Sequence, residues 1–140
     1  MFTTPYRVRF SDIDNAGIFY YPRFFHAFHV AFEQFWEEQA KWPYHILLKE
    51  DRLGFPTVHI EADFVKPIAF GAPMEIRLGL KHMGRSSLVF RYEMAHRETG
   101  DVHVAADITK VVVDMDSFKG IEVPDRIKKV LEPLKMGDSA

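Results

Sequence analysis

The chain has 140 residues, 47% hydrophobic and 14% aromatic, with 13 Phe, no Cys, and 18 basic side chains against 20 acidic ones for a formal charge of −2. Its length predicts one domain over residues 1–140, burying roughly two-thirds of its unfolded surface in a single core. The absence of Cys excludes a thiol nucleophile, a redox dithiol and a Cys-rich zinc site, leaving carboxylate, hydroxyl, imidazole or bound water for chemistry, and the slight negative charge supplies no overall field for nucleic acid.

Met1–Arg7 contains no apolar targeting core, and the longest uncharged stretches fall far short of the roughly 18 apolar residues of a membrane span. A cytoplasmic protein without a membrane span is expected. Residues 5–10, Pro-Tyr-Arg-Val-Arg-Phe, alternate apolar and basic as a half-buried strand does. A turn-rich run follows, Ser11 to Gly17. From Tyr21-Pro22 the period becomes helical, with Phe24, Phe25, Phe28, Ala31, Phe32, Phe35 and Trp36 on one face and His26, His29, Glu33 and Glu37 on the other. Pro22 suits a first helical turn, where its missing N–H costs nothing. Eight of the 13 Phe fall within the first 36 residues, so the buried face of this helix is unusually bulky.

After Lys41-Trp42-Pro43 the chain reads as irregular or weakly helical to Gly54-Phe55-Pro56. Period-two patterns then predict strands at 57–65, 73–82, 87–97 and 102–114, separated by Gly71-Ala72-Pro73, Met83-Gly84-Arg85 and Thr99-Gly100-Asp101. The short turns suggest an antiparallel meander. Pro124-Asp125 opens a short helix with Ile127, Val130, Leu131 and Leu134 on one face, and Met136 to Ala140 are expected to fray. The order is strand, long helix, four strands, short helix, an α+β pattern. A single sheet of about five strands has one face for the Phe-rich helix to cover, and the other must meet a partner or water. A sheet wrapped around a helix and paired into a dimer is the expected architecture.

The most informative run is Asp12-Ile13-Asp14-Asn15-Ala16-Gly17, followed by Tyr20-Tyr21-Pro22. Two carboxylates sit between a strand and a helix start, where free N–H groups and the helix dipole favour negative charge. Asp and Asn in such turns commonly serve as caps. Two features raise a chemical alternative: surrounding aromatics would exclude water from a carboxylate, and N–H groups at the helix start would stabilise an adjacent oxyanion, the combination acyl transfer needs.

At these residues the chain resembles the hotdog-fold acyl-CoA thioesterases, in particular the 4-hydroxybenzoyl-CoA thioesterase type. The resemblance rests on Asp14-x-x-Gly17 before Tyr20-Tyr21-Pro22 and an aromatic at 24, preceded by Arg7-Val8-Arg9-Phe10, and continues through Phe64-Val65-Lys66-Pro67-Ile68-Ala69-Phe70-Gly71 to about residue 115. It implies a hotdog fold and hydrolysis of an acyl-CoA thioester to free acid and CoA, with CoA part of the substrate and no separate cofactor. It also implies Asp14 as nucleophile or general base, Asp12 as a supporting group, the Tyr21 backbone N–H, placed by alignment through Gly17, as oxyanion donor, and Gly17, Arg85, Ser86 and Ser87 as substrate-binding positions. Active sites at a dimer interface and a homo-oligomer, as a dimer or a homotetramer built from two dimers, are expected with it. Phe24 stands where the subgroup commonly has Tyr, and Phe19 where a smaller aliphatic is usual, so the acyl pocket is expected to be reshaped.

A second candidate is the turn Lys81-His82-Met83-Gly84-Arg85-Ser86-Ser87, whose cations, hydroxyls and N–H groups suit the phosphates of a nucleotide tail, though a solvated hairpin would have the same composition. The resemblance places Arg85 at a CoA-contacting position, with Ser86 where a basic residue can also occur. His26-x-x-His29-x-x-x-Glu33 has metal-compatible spacing but also reads as the polar back of a helix, and no metal is expected. His59 and Glu61 project from one strand face toward solvent or a cleft. No Gly-x-Ser-x-Gly elbow, phosphate loop or dinucleotide fingerprint occurs, and no His between residues 11 and 25 supplies a hotdog dehydratase. The alternatives are a non-catalytic acyl-CoA or small-ligand binding hotdog protein and a structural partner of another hotdog chain.

Overall fold

The computed structural model describes residues 1–137. Five strands form one antiparallel sheet: β1 (Phe2–Arg7), β3 (Thr57–Phe64), β4 (Pro73–Met83), β5 (Ser87–His96) and β6 (Val102–Val111), in spatial order β1-β4-β5-β6-β3. Between β1 and β3 come α1 (Pro22–Glu38), α2 (Tyr44–Lys49) and β2 (Leu53–Gly54). The chain then adds β7 (Val113–Asp114), β8 (Lys119–Gly120) and α3 (Asp125–Leu131), with β2, β7 and β8 forming a small second sheet.

The inner face of the large sheet follows from alternation. Met74, Ile76, Leu78 and Leu80 of β4, and Leu88, Phe90, Tyr92 and Met94 of β5, are all buried beneath α1. The helix answers with Phe24, Phe28, Phe32, Phe35 and Trp36. Phe28 stacks on Tyr92 with ring centroids 5.1 Å apart, and Phe32 meets Phe90 edge-on at 5.1 Å. Each such fully buried side chain contributes about 1.5–3 kcal/mol of transfer free energy. The outer face is polar: Arg77 Nε lies 2.8 Å from Glu75, and Arg91 and Lys81 both pair with Asp107, at 3.2 and 2.6 Å. The antiparallel five-stranded sheet wrapped on one long helix is the hotdog arrangement.

Three expectations are corrected, and of the irregular and helical alternatives for residues 41–56 the helical one forms. The first strand is Phe2–Arg7 rather than 5–10, because the Asp12 carboxylate accepts the Arg9 N–H at 2.9 Å and turns residues 10–12 into a single 3-10 turn. The four later strands are not one meander. Consecutive hairpins join β4, β5 and β6, but β3 pairs with β6 at the far edge, since residues 65–72 cross the sheet end instead of turning tightly. The 41–56 segment contains a formed helix, α2, whose Leu47 is buried. Met136 does not fray, because its N–H donates to Leu80 O at 3.0 Å; residues 138–140 of the expected frayed tail lie outside the described residues.

Candidate active site

Asp12 anchors the segment between β1 and α1. Its carboxylate is fully buried and takes three donors: the Tyr6 hydroxyl and the Arg9 N–H on Oδ2, each at 2.9 Å, and Arg23 Nε on Oδ1 at 3.3 Å. These bonds offset the desolvation of a buried charge. Burial, followed by the bond to Asp12, pushes the Tyr6 hydroxyl up to about 12, so it remains a donor at neutral pH. The Asp12 carbonyl also accepts the Tyr20 N–H at 2.6 Å, joining strand, turn and helix start.

Asp14, two residues on, is exposed. Its Oδ1 accepts the Ala16 N–H at 2.8 Å, and among the described residues Oδ2 has no partner. A tight loop presents it: Asp14 N–H donates to Ile18 O at 2.9 Å, Gly17 N–H donates to Asp14 O at 3.0 Å, and Ile13 pairs with Phe19. Gly17 has φ +79°, a left-handed conformation that disfavours any residue with a Cβ. The loop is pinned in turn to the crossing segment, with Phe19 N–H donating to Ile68 O at 2.8 Å and Ile18 paired with Ala69.

Asp14 opens into a pocket of about 290 Å³ whose other walls include Phe19, Tyr21, Phe24, Phe64 and Ile68. Phe19 and Phe24 stack face to face with centroids 4.2 Å apart and planes 10° from parallel, a nearly buried pair on the apolar side of the pocket. Phe64 packs against the same cluster, 5.7 Å from Phe24 and 6.1 Å from Tyr21. At the head of the 17-residue α1, Pro22 has no N–H, and the Arg23 and Phe24 N–H groups donate to the Tyr20 and Tyr21 carbonyls at 2.9 and 3.2 Å. The Tyr21 N–H is left without an acceptor among the described residues, at the positive end of the helix dipole. Asp14 and Tyr21 therefore line one pocket, the first with a carboxylate oxygen free of protein partners and the second with a backbone N–H free of an acceptor among the described residues.

The structure does not bring Arg85, Ser86 and Ser87 to this pocket within one chain. They form the β4–β5 hairpin, at the end of the sheet opposite Pro73 and Arg7, and the 11 residues of β4 span roughly 30 Å. The hairpin is fixed through its backbone, with Val123 N–H on Arg85 O and Val112 N–H on Ser86 O, both at 2.8 Å. On α1, His29 Nε2 lies 3.2 Å from Glu33 as an i,i+4 pair, and among the described residues no group of three His, Asp or Glu could hold a metal. His59 and Glu61 are an exposed pair 3.2 Å apart on β3.

Two features were not anticipated from sequence. The Phe64–Ile68 wall was visible only as part of a resemblance, although an apolar strand end running into Lys66-Pro67 is a signal for a lining segment. Lys110 is almost fully buried on the inner side of β6, donating to Phe55 O at 3.3 Å and Thr57 Oγ1 at 3.1 Å beneath the Phe32 ring. The series Val104, Ala106, Ile108, Lys110 places it inward by period two.

The profile of the Thioesterase-like superfamily matches residues 8–131. A 1,4-dihydroxy-2-naphthoyl-CoA hydrolase from Nostoc punctiforme is 32% identical over 94% of this chain and 86% of its own length. Among solved structures, a thioesterase superfamily protein from Jannaschia sp. CCS1 superposes with a TM-score of 0.88 at 25% identity, covering 97% of this chain and 94% of that one. A 1,4-dihydroxy-2-naphthoyl-CoA thioesterase from Synechocystis superposes with a TM-score of 0.83 at 21% identity over 93% and 94% of the two chains, a likeness of fold. Among the described residues no helix is long and apolar enough to cross a membrane.

Proposed function

Since the chain belongs to the thioesterase-like superfamily, we propose that it hydrolyses an acyl-CoA thioester to free acid and CoA, with Asp14 as nucleophile or general base and the Tyr21 N–H as oxyanion donor. The observation that carries this reading is the shared pocket: Asp14, whose Oδ2 has no protein partner, and Tyr21, whose N–H has no acceptor among the described residues, line one apolar cavity. The proposed acyl group is aromatic. The Phe19, Phe24 and Phe64 rings that line the pocket offer aromatic contacts to a planar ring, and the 32% identical relative is named for a naphthoyl-CoA substrate.

In the nucleophilic route an Asp14 oxygen adds to the thioester carbonyl, the oxyanion sits on the Tyr21 N–H, and the C–S bond breaks to release the CoA thiolate, which takes a proton from solvent. Water then cleaves the mixed anhydride. In the general-base route Asp14 takes the proton of the attacking water and the same oxyanion collapses with loss of the thiolate. Label in Asp14 after a single turnover in ¹⁸O-water would establish the nucleophilic route, since only hydrolysis of an anhydride at its aspartyl carbonyl puts solvent oxygen there.

The proposed working unit is a dimer. Among the described residues β3 has no neighbour on its outer side, yet Val58, Ile60 and Phe64 are 60%, 42% and 50% exposed. Joining two such edges would cover these side chains and enclose the pocket beside Phe64. The test is a thiol-release assay on aromatic and straight-chain acyl-CoAs. Asp14→Asn should lower kcat by about 10²–10⁴-fold with the circular dichroism unchanged. Full activity in that variant, or binding without turnover in the wild type, would overturn the reading.

A further inference from the structure

The end of the sheet that carries the Asp14 pocket also carries a second recess. A cleft of about 510 Å³ is lined by Arg7, Arg9, Arg97, Phe70, Tyr6 and Pro73, among others. It continues past Arg9 into a smaller hollow of about 330 Å³ bounded by Phe10 and Phe70. Three arginines line it, on a chain whose net charge is −2.

Their state is unlike that of the other arginines of the sheet. Arg77 and Arg91 are each tied to carboxylates on the outer face. Among the described residues Arg7, Arg9 and Arg97 have no carboxylate within 4.0 Å; the Arg9 guanidinium lies 5.9 Å above the Tyr6 ring. Three unpaired guanidiniums around one recess repel one another, and a multiply charged anion relieves that repulsion, phosphate oxygens best because the guanidinium fork matches them. Phe70 adds a ring that is 53% exposed, standing 6.2 Å from the 76% exposed Phe10. Exposed aromatics beside clustered arginines suit a base next to phosphates.

The cleft and the pocket share a wall. Ile68 lines the pocket and Phe70 lines the cleft, and the strand-like bonds from Phe19 and Ile18 hold this segment in place. Two residues of chain separate them, about 7 Å. We propose that the Arg7–Arg9–Arg97 cleft binds the phosphorylated nucleotide portion of the substrate, its phosphates on the guanidiniums and its base against Phe70. This rests on the acyl-CoA reading for its ligand, and it places the nucleotide on the same chain as Asp14 rather than at an Arg85 hairpin, which within that chain lies at the other end of the sheet.

The probe is adenosine 3′,5′-bisphosphate, titrated calorimetrically into the wild-type protein, so that the result does not depend on turnover. Binding is expected, weakening with added salt as charge screening grows. It should weaken at least tenfold in the triple variant Arg7→Gln/Arg9→Gln/Arg97→Gln and roughly threefold in Arg97→Gln alone. All three side chains are exposed, and circular dichroism checks that the variants fold. Absent binding in the wild type, unchanged affinity in the triple variant, a larger loss in Arg85→Gln, or equal affinity for inorganic pyrophosphate would each overturn the assignment. A protein that binds the bisphosphate here yet hydrolyses no acyl-CoA would retain the cleft and refute the thioesterase reading alone.

Discussion

The Tyr6 hydroxyl and Asp12 Oδ2 lie 2.9 Å apart, a bond that joins β1 to the one buried carboxylate beneath the Asp14 loop. Tyr6→Phe removes this donor and little volume, leaving Asp12 with Arg9 N–H and Arg23. A hydrogen bond to a buried charge contributes about 1.5–3 kcal/mol, so the melting temperature should fall by several degrees. Because Asp12 also accepts the Tyr20 N–H beside the helix start, kcat should fall more than KM rises. Calorimetry with steady-state kinetics checks both, and an unchanged melting temperature would show the bond contributes nothing.

Gly17→Ala isolates a purely conformational cost. Nothing lies within 4 Å of a Cβ built at Gly17, so the substitution meets no clash, only φ +79°. That costs about 1–2 kcal/mol for Ala. Asn tolerates the left-handed region better, so Gly17→Asn should recover about half the loss in a urea titration. Equal losses for the two variants would contradict a backbone origin.

Much of this arrangement is legible in the sequence because it is local. The three- and four-residue spacing from Phe24 to Trp36 specifies α1, and Met74 to Leu80 specifies an inward strand face. The position of β3 is not legible, since alternation is the same in a central and an edge strand and only closure across residues 65–72 places it beside β6. The same limit divides the two carboxylates. As neighbours in one turn Asp12 and Asp14 look alike, but Tyr6 and Arg23, six and eleven residues away, draw Asp12 into the interior and leave Asp14 outside. The pocket's far wall, Phe64 to Ile68, arrives from about fifty residues downstream.

Lys110 should give the protein a distinctive alkaline stability. Burial lowers its ammonium to about 8, against 10.5 for a free lysine. Below pH 8 the ammonium is charged in both folded and unfolded chains, and the full desolvation penalty is present. Between pH 8 and 10.5 the unfolded chain binds more protons, so stability rises with pH. The difference between these values corresponds to about 3 kcal/mol. The stability of the wild type relative to Lys110→Met should therefore climb between pH 7 and 10.5, measured by chemical denaturation at each pH. A flat difference across that window would mean the ammonium is not penalised by its surroundings.

Ile60→Lys tests the proposed dimer where it is most exposed to disruption. Ile60 sits midway along the β3 edge, pairing with Ile108 on its covered side and 42% exposed. A charge on an edge strand opposes strand addition, because pairing would bury an ammonium without a partner. Sedimentation should give the wild type about twice the 16.3 kDa chain mass and the variant the mass of one chain, with an unchanged far-ultraviolet spectrum. If two edges complete the pocket beside Phe64, activity per chain should fall in parallel and return at high protein concentration, where mass action restores pairing. A wild type that sediments as one chain, or a monomeric variant with undiminished turnover, would place the whole site on a single chain and remove the reason for pairing.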